Sequence, residues 1–214
     1  MITCGGVWLT QWALLMMFGL DLSVILGLRP AMVIRGFLWQ PLTYMFLHSP
    51  LAISHILFNM LLLWMMGGEL ERVWGSRGFL RYYLVTGFGA GMFSLVMGLA
   101  AGTANTITIG ASGAIFGLII AYGVLFGERT ILFMMMIPMK ARTFAWIMFA
   151  VAFFSTWNPS SGGVAHIAHL GGAVTGFLYL KRAWRVGPFL SELRWKVRRR
   201  RFRVLDRDDD QTFH

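Results

Sequence analysis

GASGAIFGLIIAYGVLF, residues Gly110–Phe126, is a stretch of the chain without a single charged side chain. A helix needs roughly 20 apolar residues to cross a hydrocarbon core of about 30 Å, and this stretch approaches that length. Ser112 puts a hydroxyl near the start of the stretch, where the surrounding sequence is almost entirely apolar. The sequence therefore predicts a membrane-spanning helix with a candidate reactive group near one end.

The composition extends this prediction to the whole chain of 214 residues. Hydrophobic residues make up 57% of it and charged residues 13%, whereas a soluble domain carries roughly 25% charged residues. We predict an all-α polytopic membrane protein, a bundle of six transmembrane helices. The six apolar stretches are Trp8–Leu26, Ala52–Met66, Phe79–Ala100, Gly110–Phe126, Phe144–Trp157 and Val164–Trp184. Residues 1–186 would form this membrane domain and residues 187–214 a basic cytoplasmic tail.

A further apolar segment, Ile131–Met139, precedes the fifth stretch and contains Pro138. Proline disfavours a straight helix at such a position. We therefore expect this segment to lie at the membrane interface or to enter the bilayer obliquely.

The Lys and Arg residues are distributed unevenly between the predicted loops. Seventeen of the nineteen Lys and Arg residues lie in or beside the loops after the second and fourth stretches or in the C-terminal segment. The other two, Arg29 and Arg35, lie in the first loop. Because cytoplasmic loops are enriched in these residues, we expect both termini of this multi-pass protein in the cytoplasm. The minimal six-span form favours a bacterial plasma membrane. The run Arg198–Arg201 is then a topology anchor that attracts anionic lipid, rather than a nucleic-acid-binding surface.

Cys4 is the single cysteine, which excludes an internal disulfide and a cysteine metal cluster. The histidines are scattered along the chain, and we expect neither a cofactor nor a metal. The first apolar stretch lacks the basic start of a signal peptide and is followed by further stretches, so we interpret it as a retained helix.

Polar residues recur at matched positions in three of the stretches. If both termini are cytoplasmic, the second, fourth and sixth stretches all run from outside to inside. His55 and Asn59 lie near the start of the second stretch, and Ser112 lies near the start of the fourth. His166 and His169 lie near the start of the sixth. At about 1.5 Å of rise per residue, all lie within roughly 10 Å of the outer helix ends. Polar groups inside a membrane are unfavourable and usually functional, so we expect a site beneath the outer face.

Five motifs carry these polar residues in a fixed order. They are WQPLTYMFLH (Trp39–His48), His55-x-x-x-Asn59, Glu71-Arg72-x-x-Gly75, Gly110-Ala111-Ser112-Gly113 and His169-x-x-Gly172-x-x-x-Gly176. Together they resemble the rhomboid family of intramembrane serine proteases, which often carries Arg at the place of Gln40. The resemblance covers about residues 8–184 and implies the rhomboid fold for the six-helix bundle.

The resemblance implies that Ser112 is the nucleophile and His169 the general base. A serine hydroxyl is a poor nucleophile until a base takes its proton, and histidine suits that role near neutral pH. No Asp or Glu lies in the outer half of the fourth to sixth stretches, so the pair has no acidic third member. His55 and Asn59, four residues apart on one helical face, would form the oxyanion hole with the Ser112 backbone N–H.

The supporting residues are glycines and one aromatic side chain. Two glycine pairs have the spacing that lets membrane helices approach closely, Gly113 with Gly117 and Gly172 with Gly176. Gly110 completes the motif in front of Ser112. By resemblance, Phe116 would pack under His169 and hold its ring; from the residues alone, an ordinary core aromatic explains Phe116 equally well.

The expected function is that of an intramembrane serine endopeptidase that cleaves single-span transmembrane proteins near the outer face of the bilayer. Movement of the fifth stretch or of the loop Ser160–Gly163 would admit substrate and water. Two alternatives are a rhomboid-like protein that binds membrane clients without cutting them, and a small transporter. A protein that only binds clients would be expected to lack Ser112 or His169, and both are present. A transporter would be expected to have polar groups reaching the cytoplasmic side of the helices, and the sequence does not show them. It predicts no oligomeric state.

Overall fold

The computed structural model describes residues 1–133, 136–156 and 165–181, and this part of the chain is mostly helical. The helices are α1 (Ile2–Phe18), α2 (Ser23–Leu26), α3 (Pro30–Val33), α4 (Gln40–Thr43), α5 (Ile53–Leu62), α6 (Gly68–Ala100), α7 (Ser112–Leu125), α8 (Ala141–Thr156) and α9 (residues 165–181). Met1–Tyr179 form one compact unit. The predicted tail at residues 187–214 and the predicted loop Ser160–Gly163 lie outside the described residues.

Helix α1 begins and ends earlier than the predicted stretch Trp8–Leu26. It ends at Phe18 because Gly19 adopts a left-handed conformation, with φ of 65°. The amide of Gly19 donates to the Leu15 carbonyl and that of Leu20 to the Leu14 carbonyl. This pair of hydrogen bonds closes a helix C-terminus and turns the chain away from the helix axis.

Helices α5 and α6 follow one another without an intervening loop, where the sequence predicted a loop between the second and third stretches. A π-helical turn at Leu63–Gly67 joins them, and α6 is kinked at Gly75, where φ is 69° and ψ 163°. Glycine adopts such a conformation readily because it has no Cβ. The kink therefore separates two helical segments that the sequence analysis treated as separate spans.

The apolar helices differ in their capacity to cross a membrane. Within the described residues, the helical stretch Ile53–Ala100, which contains the kink at Gly75, is alone both long and apolar enough to cross a membrane. Its mean hydropathy is 1.6. Helices α1, α7 and α8 are apolar but shorter. The number of six spans therefore remains a prediction.

The segment Ile131–Met139 contributes to a β-hairpin, which is the one sheet among the described residues. Strand β1 (Thr130–Phe133) pairs antiparallel with β2 (Ile137–Lys140), in a register that sets Thr130 opposite Lys140. In a two-stranded sheet both strands are edges, so Pro138 can lie in β2 without removing an internal hydrogen bond. The described residues of this segment thus belong to a hairpin between α7 and α8, and its expected position at the membrane interface stays a prediction.

The first loop holds the chain in front of α7 in place. Leu28 and Thr108 exchange two backbone hydrogen bonds of 2.9 and 2.8 Å. Gln40, where the related motif often has Arg, is completely buried. Its amide accepts a hydrogen bond from the Arg29 N–H and donates one to the Ile25 carbonyl. A buried amide with both ends bonded fixes the loop conformation without an unsatisfied polar group.

Helix α7 lies at the centre of the fold. Nearly every residue from Gly113 to Tyr122 is buried, and α7 packs against both α6 and α8. The buried Tyr82 hydroxyl of α6 donates to the Gly117 carbonyl over 2.8 Å. Because α7 is covered on all sides, its first residues have a fixed position relative to the neighbouring helices.

Candidate active site

The side chains of Ser112 and His169 are in direct contact. Oγ of Ser112 lies 2.8 Å from Nε2 of His169, although 57 residues separate the two in sequence. Ser112 is the first residue of α7 and His169 lies in α9. The distance is that of a normal hydrogen bond, so the hydroxyl can donate its proton to an unprotonated Nε2.

Glycines allow α9 to approach α7 closely enough for this contact. A Cβ added at Gly172 would overlap the Gly113 carbonyl oxygen and lie 2.7 Å from the Gly113 carbonyl carbon. A Cβ at Gly176 would lie 2.9 Å from Cα of Gly117. The missing side chains of Gly172 and Gly176 therefore let α9 contact the backbone of α7 at two successive turns.

The partner glycines of α7 contact α9, as expected, and also allow a close approach of α6. A Cβ added at Gly113 would lie 2.7 Å from Cβ of Ala90, and one at Gly117 2.7 Å from Cβ of Thr86. Both neighbours belong to α6. Helix α7 is therefore packed tightly between α6 on one side and α9 on the other.

The ring of Phe116 stacks on the imidazole of His169. The ring centroids are 4.3 Å apart and the planes differ by 6°. Phe116 also packs with Ala152 of α8 and Ala173 of α9. The contact that the family resemblance implied is present, and the same ring belongs to the local core, so the two interpretations of Phe116 are compatible.

Gly110 occupies a position that requires glycine for two reasons. Its φ of 120° is a conformation that other residues rarely adopt. A Cβ added there would lie 2.8 Å from Nε2 of His55 and 3.7 Å from Oγ of Ser112. The backbone of Gly110 therefore brings the His55 ring next to Ser112.

His55 and Asn59 line a pocket together with Ser112. The pocket has a volume of about 260 Å³, and its lining residues are Ser54, His55, Phe58, Asn59, Leu62, Ser112, Ile115 and Phe116. Nδ2 of Asn59 donates to the His55 carbonyl over 2.7 Å, which leaves the second N–H of the amide group for another acceptor. The first-turn N–H groups of α7 have no partner within their own helix.

His166 lies one helical turn from His169, and the two rings meet edge to face with centroids 5.6 Å apart. The predicted site residues Ser112, His169, His55, Asn59, Gly110, Phe116, Gly172 and Gly176 are thus brought together in one region. Among the described residues, none that lines the pocket carries a carboxylate.

Sequence reasoning did not find the contribution of α1 to this region. Gln11 is 1% exposed, and its Oε1 accepts a hydrogen bond from the His48 amide. Nε1 of Trp8 donates to the Ser49 carbonyl. Gln11 is an uncharged polar residue in an apolar helix, which indicates that its side chain has a hydrogen-bond partner. The sequence does not indicate which backbone group this partner is.

Comparison with known proteins identifies the family of the chain that carries this site. The protein-family model of the rhomboid domain matches residues 35–185 of the chain. The chain belongs to the rhomboid family. It is therefore an integral membrane protein, in agreement with its apolar helices.

Named rhomboid proteins of several organisms resemble the chain at about 30% identity. Rhomboid protein 1, mitochondrial, of Saccharomyces cerevisiae is 31% identical over 72% of the chain. Rhomboid protease GluP of Bacillus subtilis is 31% identical over 69% of it, and rhomboid protease GlpG of Serratia proteamaculans 32% over 66%. The matched parts cover 42%, 26% and 46% of these relatives, so the chain spans less than half of each.

Proposed function

We propose that this rhomboid is an intramembrane serine endopeptidase in which Ser112 is the nucleophile and His169 the general base. The hydrogen bond of 2.8 Å between Oγ and Nε2 is the observation that carries this proposal. It connects a hydroxyl and an imidazole at the end of a buried apolar helix. Two of the relatives are themselves named proteases.

The proposed reaction proceeds in two steps. Oγ of Ser112 attacks the scissile carbonyl carbon while Nε2 of His169 takes its proton. The tetrahedral intermediate collapses, the C–N bond breaks, and His169 gives the proton to the leaving amine. A water molecule, deprotonated by His169, then attacks the acyl-enzyme, and the proton returns to Oγ as the carboxylic acid leaves.

The oxyanion of each tetrahedral intermediate would be stabilised by His55, Asn59 and the Ser112 N–H. His55 and Asn59 line the same pocket as Ser112. A single donor of this kind lowers the barrier by roughly 3 kcal/mol. The positive end of the α7 dipole lies at Ser112 and favours the same negative charge.

We extend the proposal to the orientation of the protein in the membrane and to its substrate class. The site would open towards the outer face of a bacterial plasma membrane, within a six-span bundle with both termini in the cytoplasm. Single-span transmembrane proteins would be cut near that face. Helix α8 is the candidate gate: Trp146 and Phe154 are each 71% exposed, so part of its surface is not covered by neighbouring helices.

The decisive experiment is labelling of the purified chain in bilayers with a fluorophosphonate probe, which reacts with activated serines. We expect labelling of the native chain and none of the Ser112→Ala and His169→Ala variants. Ser94→Ala is the matched control, because Ser94 is a buried serine whose hydroxyl contacts Thr108 and not His169. A folded native chain that is not labelled would instead indicate a protein that binds membrane clients without cutting them.

A further inference from the structure

Two side chains of α1 hold the backbone of His48 and Ser49. Nε1 of Trp8 donates to the Ser49 carbonyl over 3.0 Å, and Oε1 of Gln11 accepts from the His48 N–H over 3.0 Å. Trp8 and Gln11 are three residues apart, so they lie on the same face of the helix. We call these two side chains the α1 clamp.

The clamped backbone in turn contacts His55. The amide of Ser49 lies 3.4 Å from Nδ1 of His55 and donates to it. A backbone N–H can only donate, so Nδ1 must be the acceptor. In a neutral imidazole the proton then resides on Nε2, because the hydrogen bond at one ring nitrogen sets which nitrogen carries the proton.

Nε2 is the atom of His55 that faces the proposed site. It is the nearest neighbour of a Cβ built on Gly110, at 2.8 Å, and Oγ of Ser112 is also in contact with that Cβ. The fully buried His48 ring packs beside the His55 ring, with ring centroids 5.2 Å apart and planes tilted by 60°. The His55 ring is thus held by Ser49 at Nδ1 and packed beside His48, with Nε2 next to Gly110 in the pocket that Ser112 also lines.

We propose that Trp8 and Gln11 are positioning residues, which fix the His48–Ser49 backbone and thereby keep His55 in the tautomer with the proton on Nε2. That tautomer can donate a hydrogen bond to an oxyanion, whereas the other presents a lone pair and repels it. The catalytic consequence rests on the proposed function; the tautomer does not. Both residues lie outside residues 35–185, the part of the chain that matches the rhomboid domain.

The tautomer can be measured directly, without activity, on the full chain in bilayers. Ring ¹⁵N chemical shifts of His55, assigned by comparison with His55→Gln, distinguish the two forms. We expect a protonated Nε2 in the native chain and a growing Nδ1-protonated population in Gln11→Met and in Trp8→Phe. Each variant removes one hydrogen bond and keeps most of the side-chain volume.

Trp12→Phe is the matched control, since Trp12 lies on the same helix and is 47% exposed. It should leave the His55 shifts unchanged. A native His55 protonated at Nδ1 would overturn the proposal, and so would native shifts in both clamp variants. The same thermal midpoint in the Gln11→Met and Trp12→Phe variants shows that the comparison is made between folded proteins.

A kinetic double-mutant cycle separates positioning from general stability. We expect Gln11→Met to lower kcat on the order of tenfold, an effect of the size that partners orienting metal-bound histidines have. KM should change little, because the hydrogen bond to the oxyanion forms only in the transition state. In a His55→Gln background the same change should have no further effect, because the glutamine amide supplies an N–H near the position of Nε2 and has no tautomer to set. Equal losses in both backgrounds would show a merely structural role and overturn the proposal.

The two proposals fail in different ways. Absence of fluorophosphonate labelling at Ser112 contradicts the proposed protease activity and leaves the measured tautomer of His55 unaffected. If Ser112 is labelled but the tautomer of His55 does not change when Trp8 or Gln11 is replaced, the proposed role of the α1 clamp alone is contradicted.

Discussion

Gly172 of α9 lies directly against the backbone of Gly113 of α7. A Cβ at position 172 would overlap the Gly113 carbonyl oxygen, which belongs to the residue that follows Ser112. Backbone atoms cannot move aside as a flexible side chain can, so the separation of α7 and α9 depends on the absence of this one carbon. The same separation sets the distance between Ser112 and His169.

We therefore expect Gly172→Ala to push the two helices apart. Overpacking of this kind destabilises a protein by about 1–3 kcal/mol, while a shift of roughly 1 Å between reacting groups can slow a reaction about 100-fold. Fluorophosphonate labelling should fall far more than the thermal midpoint. Gly6→Ala on α1, where an added Cβ has open space, is the control. Labelling of the Gly172→Ala variant at the native rate would contradict this account.

Phe116→Leu tests the stacking of Phe116 on His169. Loss of a ring pair removes about 0.5–1.5 kcal/mol, so labelling should slow by up to about tenfold. Phe116→Tyr keeps the ring and should label at nearly the native rate. Because Phe116 also packs on Ala152 and Ala173, thermal unfolding is measured beside labelling. The prediction is wrong if the Leu and Tyr variants label equally fast.

The residues of the candidate site could be predicted from the sequence because each carries a local signal. Polar residues such as Asn59 and Ser112 stand out in apolar stretches, and Gly172 and Gly176 recur at a spacing that favours close helix contact. Helical periodicity also places His55 and Asn59 on one face. Their meeting in one pocket follows from helices that must bury their polar groups together.

Other features could not be predicted, either because the local sequence fits more than one structure or because the residues in contact are far apart in the chain. The end of α1 at Phe18 rests on the left-handed conformation of Gly19, one of several glycines that could equally have continued a membrane helix. The hairpin at Thr130–Lys140 is apolar enough to resemble part of a span. The contact of Gln11 with the His48 amide joins residues 37 positions apart, a distance at which sequence periodicity carries no information.

The hairpin between α7 and α8 should be sensitive to acid. Nζ of Lys140 donates to the Glu128 carboxylate over 2.8 Å, and Arg142 pairs with the same group. The hydrogen bond from Lys140, aided by the charge of Arg142, lowers the pKa of Glu128 from its ordinary value of 4.5. A carboxylate with a lowered pKa stabilises the fold above its unfolded-state pKa, and this stabilisation is lost as the pH falls through the folded-state value.

Hydrogen exchange of the hairpin amides should therefore accelerate as the pH is lowered below 4.5 in the native chain, beyond the intrinsic pH dependence of exchange. Glu128→Gln should exchange faster at neutral pH and lose this additional acid step. The effect is small because all three charged groups are exposed. Identical exchange profiles in the two proteins would show that the ion pair does not hold the hairpin.

Gly110→Ala separates backbone strain from the position of His55. A residue other than glycine at φ of 120° adds strain of about 1–3 kcal/mol, and the new Cβ would also lie 2.8 Å from Nε2 of His55. We expect the ring to be displaced and labelling of Ser112 to fall at least about tenfold, since a displaced donor no longer stabilises the oxyanion.

Gly102→Ala is the matched control for this experiment. Gly102 also has a positive φ, 72°, but an added Cβ there meets nothing within 4 Å. Both variants should therefore lose stability, and Gly110→Ala alone should lose labelling out of proportion to its thermal midpoint. If the two variants lose labelling and stability in the same ratio, the contact with His55 contributes nothing and Gly110 is required for the turn alone.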